Sequence, residues 1–143
     1  MAIRTGTAEW KGSLEDGSGT IGSGSGTIAG DYSAESRFAE GGGTNPEELL
    51  GAAHASCFSM FLGLVLGEQG HPAESIRTEA RVHILKQGEG YAVTRIDLVT
   101  TGRVPGIDDG TFQAAAQNAK DNCPISHALG AVPEINVEAT LES

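Results

Sequence analysis

The chain is poor in positive charge and in cysteine. Its 143 residues carry nine Lys and Arg against 19 Asp and Glu, which gives a formal net charge of −10. Phosphate backbones and anionic membranes are bound through clustered cations, so this balance excludes nucleic acid and membrane surfaces as the main partners. Two cysteines, Cys57 and Cys123, form neither the dense disulfide framework of small secreted proteins nor a paired-cysteine zinc motif.

Signals for export or membrane insertion are equally scarce. The first residues, MAIRTGTAEW, contain no apolar signal segment. The apolar run from Leu49 to Glu68 is near membrane length, but Glu47, Glu48 and His54 lie inside it or at its ends, which favours a central helix of a soluble protein. We therefore expect a soluble, cytoplasmic protein in a reducing compartment.

Glycine, by contrast, is in excess. The 21 glycines follow no strict period, which excludes collagen and indicates turns or close packing. Gly17, Gly19 and Gly22 match the spacing of a dinucleotide-binding loop, but a Gly/Ser/Thr alternation follows them where that loop needs a helix. A hairpin turn is the better interpretation.

The order of patterns predicts one α+β domain over residues 1–143, with mainly antiparallel sheet. Asn45 as cap, Pro46 at the first helical position and Glu48 in a capping box mark the start of the central helix. The predicted segments are a β-rich part at 1–44, the central helix at 45–70, a β-hairpin at 75–104, helices at 109–130 and a last strand at 134–142.

The central helix is apolar on nearly all sides. Such a helix must be buried all round, and one small domain cannot easily wrap it. The pattern therefore predicts that a second subunit completes its burial.

The two cysteines suggest a redox reaction. Cys57 lies in the middle of the central helix, where a lone thiol is most often a core residue. Cys123 precedes Pro124 at a predicted helix start, where free N–H groups favour a thiolate. If the two meet in the fold, peroxide can oxidise one to a sulfenic acid that the other converts to a disulfide.

A thiol in the middle of a helix gains little from the helix dipole and needs an outside cation for activation. Arg37, expected on a loop before the central helix, is the candidate, and Glu47 is free to pair with it. An unbroken helix places Glu47 and Cys57 about 15 Å apart along its axis. Either the helix breaks near Gly51, or Arg37 bridges a longer site, or the carboxylate comes from a second subunit.

Two other functions compete with the redox interpretation. His54 with Cys57, and Cys123 with His127, supply a Cys2His2 set that would satisfy zinc, although the spacing fits no common zinc motif. The apolar helix could instead form the groove of a dimeric, non-catalytic domain that binds apolar ligands.

Three segments resemble the OsmC/Ohr thiol peroxidases, and more closely their OsmC branch. They are GTNPEELLGAAHASCFSM at 43–60, VPGID at 104–108 and NCPIS at 122–126. The likeness runs from Trp10 to the last strand. It implies an intertwined α+β homodimer with mainly antiparallel sheets packed around a long central buried helix.

The resemblance also implies an activity and its residues. The family reduces organic hydroperoxides to alcohols in oxidative and osmotic stress defence without metal, haem or flavin, and takes electrons from an external dithiol or a lipoyl-type group. By position, Cys57 is the peroxidatic nucleophile, Cys123 the resolving thiol, Arg37 the activating cation and Glu47 the carboxylate that positions it.

An apolar substrate pocket is expected beside these residues. We expect it to be lined by Phe38, Met60 and Phe61, which are close to Arg37 or Cys57 in the sequence and suit alkyl hydroperoxides better than hydrogen peroxide.

Overall fold

The computed structural model describes residues 1–142, which form two compact units, Met1–Leu49 and a second one that begins at Leu50. The elements in chain order are β1 Gly6–Lys11, β2 Ser18–Ser23, β3 Ala29–Tyr32, α1 Ala34–Phe38, α2 Pro46–Glu68, β4 Ser75–Gln87, β5 Gly90–Arg103, α3 Asp109–Asn122, α4 Pro124–Ala128 and β6 Glu134–Glu142. The α+β class and the position of the central helix are as predicted.

The first unit contains the antiparallel sheet β1-β2-β3, followed by a helix that the sequence did not predict. Arg37 lies in this short helix, α1, and not on a loop. Ser33 caps α1 by accepting a hydrogen bond from Ser36 N, and the Ser36 side chain in turn accepts one from Ser33 N. This reciprocal pair satisfies two backbone donors and sets the orientation of the turn that carries Arg37.

The cap at the start of α2 is as predicted, since Asn45 Oδ1 accepts a hydrogen bond from Glu48 N at 2.7 Å. The predicted capping box differs, because the Glu48 carboxylate accepts from Thr44 Oγ1 at 2.9 Å instead of from the backbone N–H of Asn45. The helix continues without a break from Pro46 to Glu68, so the predicted alternative of a break near Gly51 is wrong. Gly51 serves close packing instead, since a Cβ there would lie 3.1 Å from the carbonyl oxygen of Ala80.

One face of α2 forms the core of the second unit. Phe58, Leu62 and Leu66 recur at four-residue spacing and are fully buried. They belong to a cluster that also contains Leu98 of β5 and Phe112 of α3. By length and composition α2 is also able to span a membrane, a test that the core helix of a soluble protein passes equally.

The opposite side of α2 is open in the single chain. Met60 is 79 % exposed and Leu64 is 53 % exposed, four positions apart on one face. The helix is therefore not buried all round by its own chain. The exposed face is the one that the sequence pattern predicts a second subunit to cover.

The second sheet has the order β4-β5-β6 and is mixed. The hairpin β4–β5 is antiparallel as predicted, whereas β6 pairs with β5 in parallel. A parallel pair needs a crossover, and α3 and α4 provide it. Asp108 caps α3 by accepting from Thr111 N, and Gln113 on α3 donates to the carbonyl oxygen of Ala139 in β6 at 2.7 Å.

Candidate active site

Cys123 lies at a junction between two helices. It ends α3 and is the N-cap of α4, where Pro124 fits the first helical position. Its sulfur lies 3.0 Å from Ser126 Oγ and accepts a hydrogen bond from Ser126 N at 3.4 Å. The residue is fully buried, so these contacts form away from water.

Cys57 lies beside Cys123 in the fold, although the sequence could not show this. It is half-buried on α2, and both thiols are free. Burial raises the pKa of Cys57, and a hydrogen bond from the backbone N–H of Ile125 to the sulfur opposes that shift. Cys123 raises the pKa further, by electrostatic repulsion and by a side-chain hydrogen bond. Two thiols in contact and of unequal exposure are the arrangement a two-cysteine redox cycle requires.

A buried histidine extends this arrangement. His54, one helical turn before Cys57, is fully buried, and its Nε2 lies 2.8 Å from Ser126 Oγ. Burial lowers the pKa of His54, so the ring is held neutral. The sequence did not identify Ser126 as a site residue. It lies three residues after Cys123, the spacing between a helix cap and the residue that it bonds, and this spacing could have indicated the contact.

The four residues of the zinc alternative are not brought together. His54 Nε2 faces Ser126, while His127 is exposed and its Nε2 lies 2.9 Å from the backbone oxygen of Asp121. Within residues 1–142, no group of three or more His, Cys, Asp or Glu side chains is placed to hold a metal ion.

Arg37 and Glu47 form an ion pair within the first unit. Arg37 Nη2 donates to Glu47 Oε1 at 2.7 Å, and Arg37 Nε donates to Oε2 at 3.1 Å. The carboxylate is 11 % exposed and the arginine side chain 37 %. The hydrogen bond to Glu47 is the main cause that raises the pKa of Arg37, against partial burial. This fork fixes the plane of the guanidinium and keeps it charged.

The guanidinium of Arg37 borders an apolar hollow in the first unit. It lies 5.2 Å from the centre of the Phe38 ring, and both residues line an open concavity of about 270 Å³ together with Trp10, Leu14 and Tyr32. All the lining comes from the first unit.

The other two residues of the expected substrate pocket lie on α2 in the second unit. Phe61 packs against the core there, and Met60 projects from the exposed face. Of the three residues expected to form the substrate pocket, Phe38 lines this concavity, and Met60 and Phe61 are not among its lining residues.

Comparison with known proteins decides the family. Residues 39–138 match the family model described as OsmC-like protein. The chain belongs to the OsmC family. This confirms the resemblance found in the sequence, and Cys57, Cys123 and Glu47 of this OsmC-family chain fall inside the matched residues.

The relatives of this OsmC-family chain carry peroxide-related names. It is 45 % identical over 141 residues to peroxiredoxin OsmC of Escherichia coli strain K12, covering 98 % of this chain and 97 % of that protein. It is 31 % identical over 101 residues to the organic hydroperoxide resistance protein OhrA of Bacillus subtilis strain 168, covering 69 % and 66 %. The crystal structure of OhrB of Bacillus subtilis superposes with a TM-score of 0.68 at 26 % identity over 96 % and 98 % of the chains, which confirms the fold.

Proposed function

We propose that this protein is a cytoplasmic thiol peroxidase that reduces organic hydroperoxides to alcohols. The observation that carries the proposal is the contact between a half-buried Cys57 and a fully buried Cys123. A hydroperoxide can reach only a sulfur that is open to it, so the difference in exposure supports Cys57 as nucleophile and Cys123 as resolving thiol. The peroxiredoxin and hydroperoxide resistance relatives support the same chemistry.

The proposed reaction has three steps. The Cys57 thiolate attacks the outer peroxide oxygen, the O–O bond breaks, Cys57 becomes a sulfenic acid, and the alkoxide takes a proton to leave as alcohol. Cys123 then attacks the sulfenic sulfur, forming the disulfide and releasing water. An external dithiol, free or of the lipoyl type, reduces the disulfide by exchange and becomes oxidised itself.

Arg37 is the cation we assign to activation. Burial and the neighbouring thiol hold the pKa of Cys57 above its ordinary value, so a charged group is needed to stabilise the thiolate near neutral pH. The Glu47 fork occupies Nε and one Nη2 hydrogen of Arg37, and the remaining N–H groups can donate to the thiolate or the departing alkoxide. Glu47 acts as a positioning residue, from the same subunit or its partner.

An organic substrate is favoured over hydrogen peroxide because the concavity at Arg37 is lined by apolar and aromatic side chains. Phe38 forms its wall, and we propose that Met60 and Phe61 complete the pocket in the assembled protein.

Mass spectrometry of the reduced protein after one equivalent of cumene hydroperoxide tests the proposed cycle. We expect the chain to lose two hydrogen atoms and to yield a peptide in which Cys57 is joined to Cys123. A zinc protein would instead carry stoichiometric metal on protected thiols, and a non-catalytic ligand-binding domain would bind the probe with both thiols unchanged. Either result would contradict the peroxidase.

We further propose that a second copy of the chain covers the open face of α2. The exposed stripe of Ala53, Ser56, Met60 and Leu64 carries no charge, and its small residues allow another helix to approach closely. A stripe of this kind is self-complementary across a two-fold axis, which a homodimer supplies.

The dimer can be tested by substituting arginine for two leucines of similar exposure. Leu64→Arg should shift the protein from dimer to monomer in sedimentation equilibrium, because it places a charge in the proposed interface. Leu85 on β4 is 57 % exposed against 53 % for Leu64, so Leu85→Arg is the matched control and should leave the dimer intact. A Leu64→Arg protein that stays dimeric would rule out this face.

A further inference from the structure

The fully buried His54 has one ring nitrogen that is hydrogen-bonded and one that has no partner within the described part of the chain. Its Nε2 lies 2.8 Å from Ser126 Oγ, and its Nδ1 is buried with no hydrogen-bond partner among the described residues. A buried N–H without an acceptor costs more than a bare nitrogen lone pair in the same place. The tautomer that fits carries its hydrogen on Nε2, and this hydrogen is donated to Ser126.

That tautomer fixes the direction of the next hydrogen bond. Ser126 Oγ accepts from His54, so its own hydrogen is free for the sulfur of Cys123 at 3.0 Å. The backbone N–H of Ser126 donates to the same sulfur at 3.4 Å. Two donors from one residue thus converge on Cys123, and His54 holds one of them in place.

Cys57 contacts the same sulfur. It forms a side-chain hydrogen bond with Cys123. The Cys123 sulfur is therefore the point at which the contacts of Ser126 and Cys57 meet.

We propose that His54 and Ser126 form a donor chain for the resolving step, in which the Ser126 hydroxyl stabilises the negative charge that develops on the Cys123 sulfur. In that step the Cys123 sulfur bonds to the sulfenic sulfur of Cys57, the S–O bond breaks, and the thiol proton leaves with the departing hydroxide as water. Ser126 contacts the reacting sulfur, and His54 is a positioning residue that acts through it. The inference rests on the proposed peroxidase cycle.

His54 does not serve as the base of this step. To act as a base, His54 would need an unprotonated Nε2, which places the ring hydrogen on the buried Nδ1 without an acceptor. After accepting the proton it would be a buried imidazolium. Burial already lowers the pKa of His54, which opposes that charge. The donor direction is the one that both the geometry and the burial of the ring support.

Single-turnover kinetics separate the two halves of the cycle. Reduced protein is mixed with one equivalent of cumene hydroperoxide and quenched at intervals with dimedone, which labels sulfenic acid, before mass spectrometry. In Ser126→Ala we expect formation of the Cys57 sulfenic acid to change by less than about twofold and formation of the disulfide to slow by about tenfold to a hundredfold. The sulfenic acid should therefore accumulate.

Variants at His54 test the second link. His54→Met removes the donor at similar volume and should slow disulfide formation by about threefold to tenfold. His54→Gln keeps an N–H near the place of Nε2 and should resolve faster than His54→Met. Equal rates in these two variants would overturn the role of His54 as a donor.

The double variant separates chemistry from stability. Ser126→Ala alone leaves His54 Nε2 buried without a partner and should lower stability to urea, whereas His54→Met with Ser126→Ala removes both partners and should recover it. The slow resolving step should persist in the double variant. Recovery of the rate together with stability, or a normal rate in Ser126→Ala, would overturn the donor chain.

The wild-type trace distinguishes this inference from the proposed function. Wild type that forms the sulfenic acid and the disulfide, beside a Ser126→Ala protein that resolves equally fast, would overturn the donor chain alone. Wild type that forms no sulfenic acid at Cys57 would overturn the peroxidase and the donor chain with it.

Discussion

Replacing Cys57 with serine is expected to abolish hydroperoxide reduction, with a loss of about a thousandfold or more in turnover. A serine hydroxyl is far less nucleophilic than a thiolate at neutral pH, and it cannot form the sulfenic acid that starts the cycle. Consumption of cumene hydroperoxide with a dithiol as electron donor measures the effect. Full activity in Cys57→Ser would disprove the assignment of the nucleophile.

Cys123→Ser is the matched control, since it makes the same change at the other thiol. Serine is a good N-cap residue, so it should keep the start of α4 that Cys123 now caps. We expect Cys123→Ser to reduce one equivalent of hydroperoxide at a rate close to wild type and to stop as a Cys57 sulfenic acid without a disulfide. A Cys123→Ser protein inert in the first turnover, beside an active Cys57→Ser, would exchange the two roles.

Local signals predicted the elements that carry these cysteines. Asn45 and Pro46 marked the start of α2, and Pro124 marked the start of α4, because capping and the fixed φ of proline act over a few residues. The short helix α1 was missed. Ser33 and Ser36 cap each other there, but five residues carry no hydrophobic period that would separate a helix from a loop.

Contacts between distant residues were beyond the reach of the residue pattern. The parallel pairing of β5 with β6 depends on a crossover and has no local signature. The contact of Cys57 with Cys123 was implied by the family resemblance, and the fold now provides it through the packing of α2 against the junction of α3 and α4. The sequence gives no sign that His54 and Ser126 interact. The packing buries both residues and brings His54 Nε2 to 2.8 Å from Ser126 Oγ.

Arg37→Ala is expected to lower hydroperoxide reduction by about a hundredfold at neutral pH. In the proposed mechanism Arg37 donates to the thiolate and to the departing alkoxide, so the substitution removes both interactions from the same step. Without the cation the pKa of Cys57, already raised by burial, rises further, so the thiolate forms only at higher pH. The pH–rate profile of Arg37→Ala should therefore move toward alkaline pH and regain part of the lost rate there, which Cys57→Ser cannot do.

Three further variants decide whether Arg37 acts as a charge, a fork or neither. Arg37→Lys keeps the charge without the bidentate contact to Glu47, and it should be intermediate in rate. Glu47→Gln keeps the shape of the positioning side chain and should lose less rate than Arg37→Ala. Arg4, the only arginine earlier in the chain, is the control. A normal pH–rate profile in Arg37→Ala, with the loss appearing in Arg4→Ala, would transfer the activating role to Arg4.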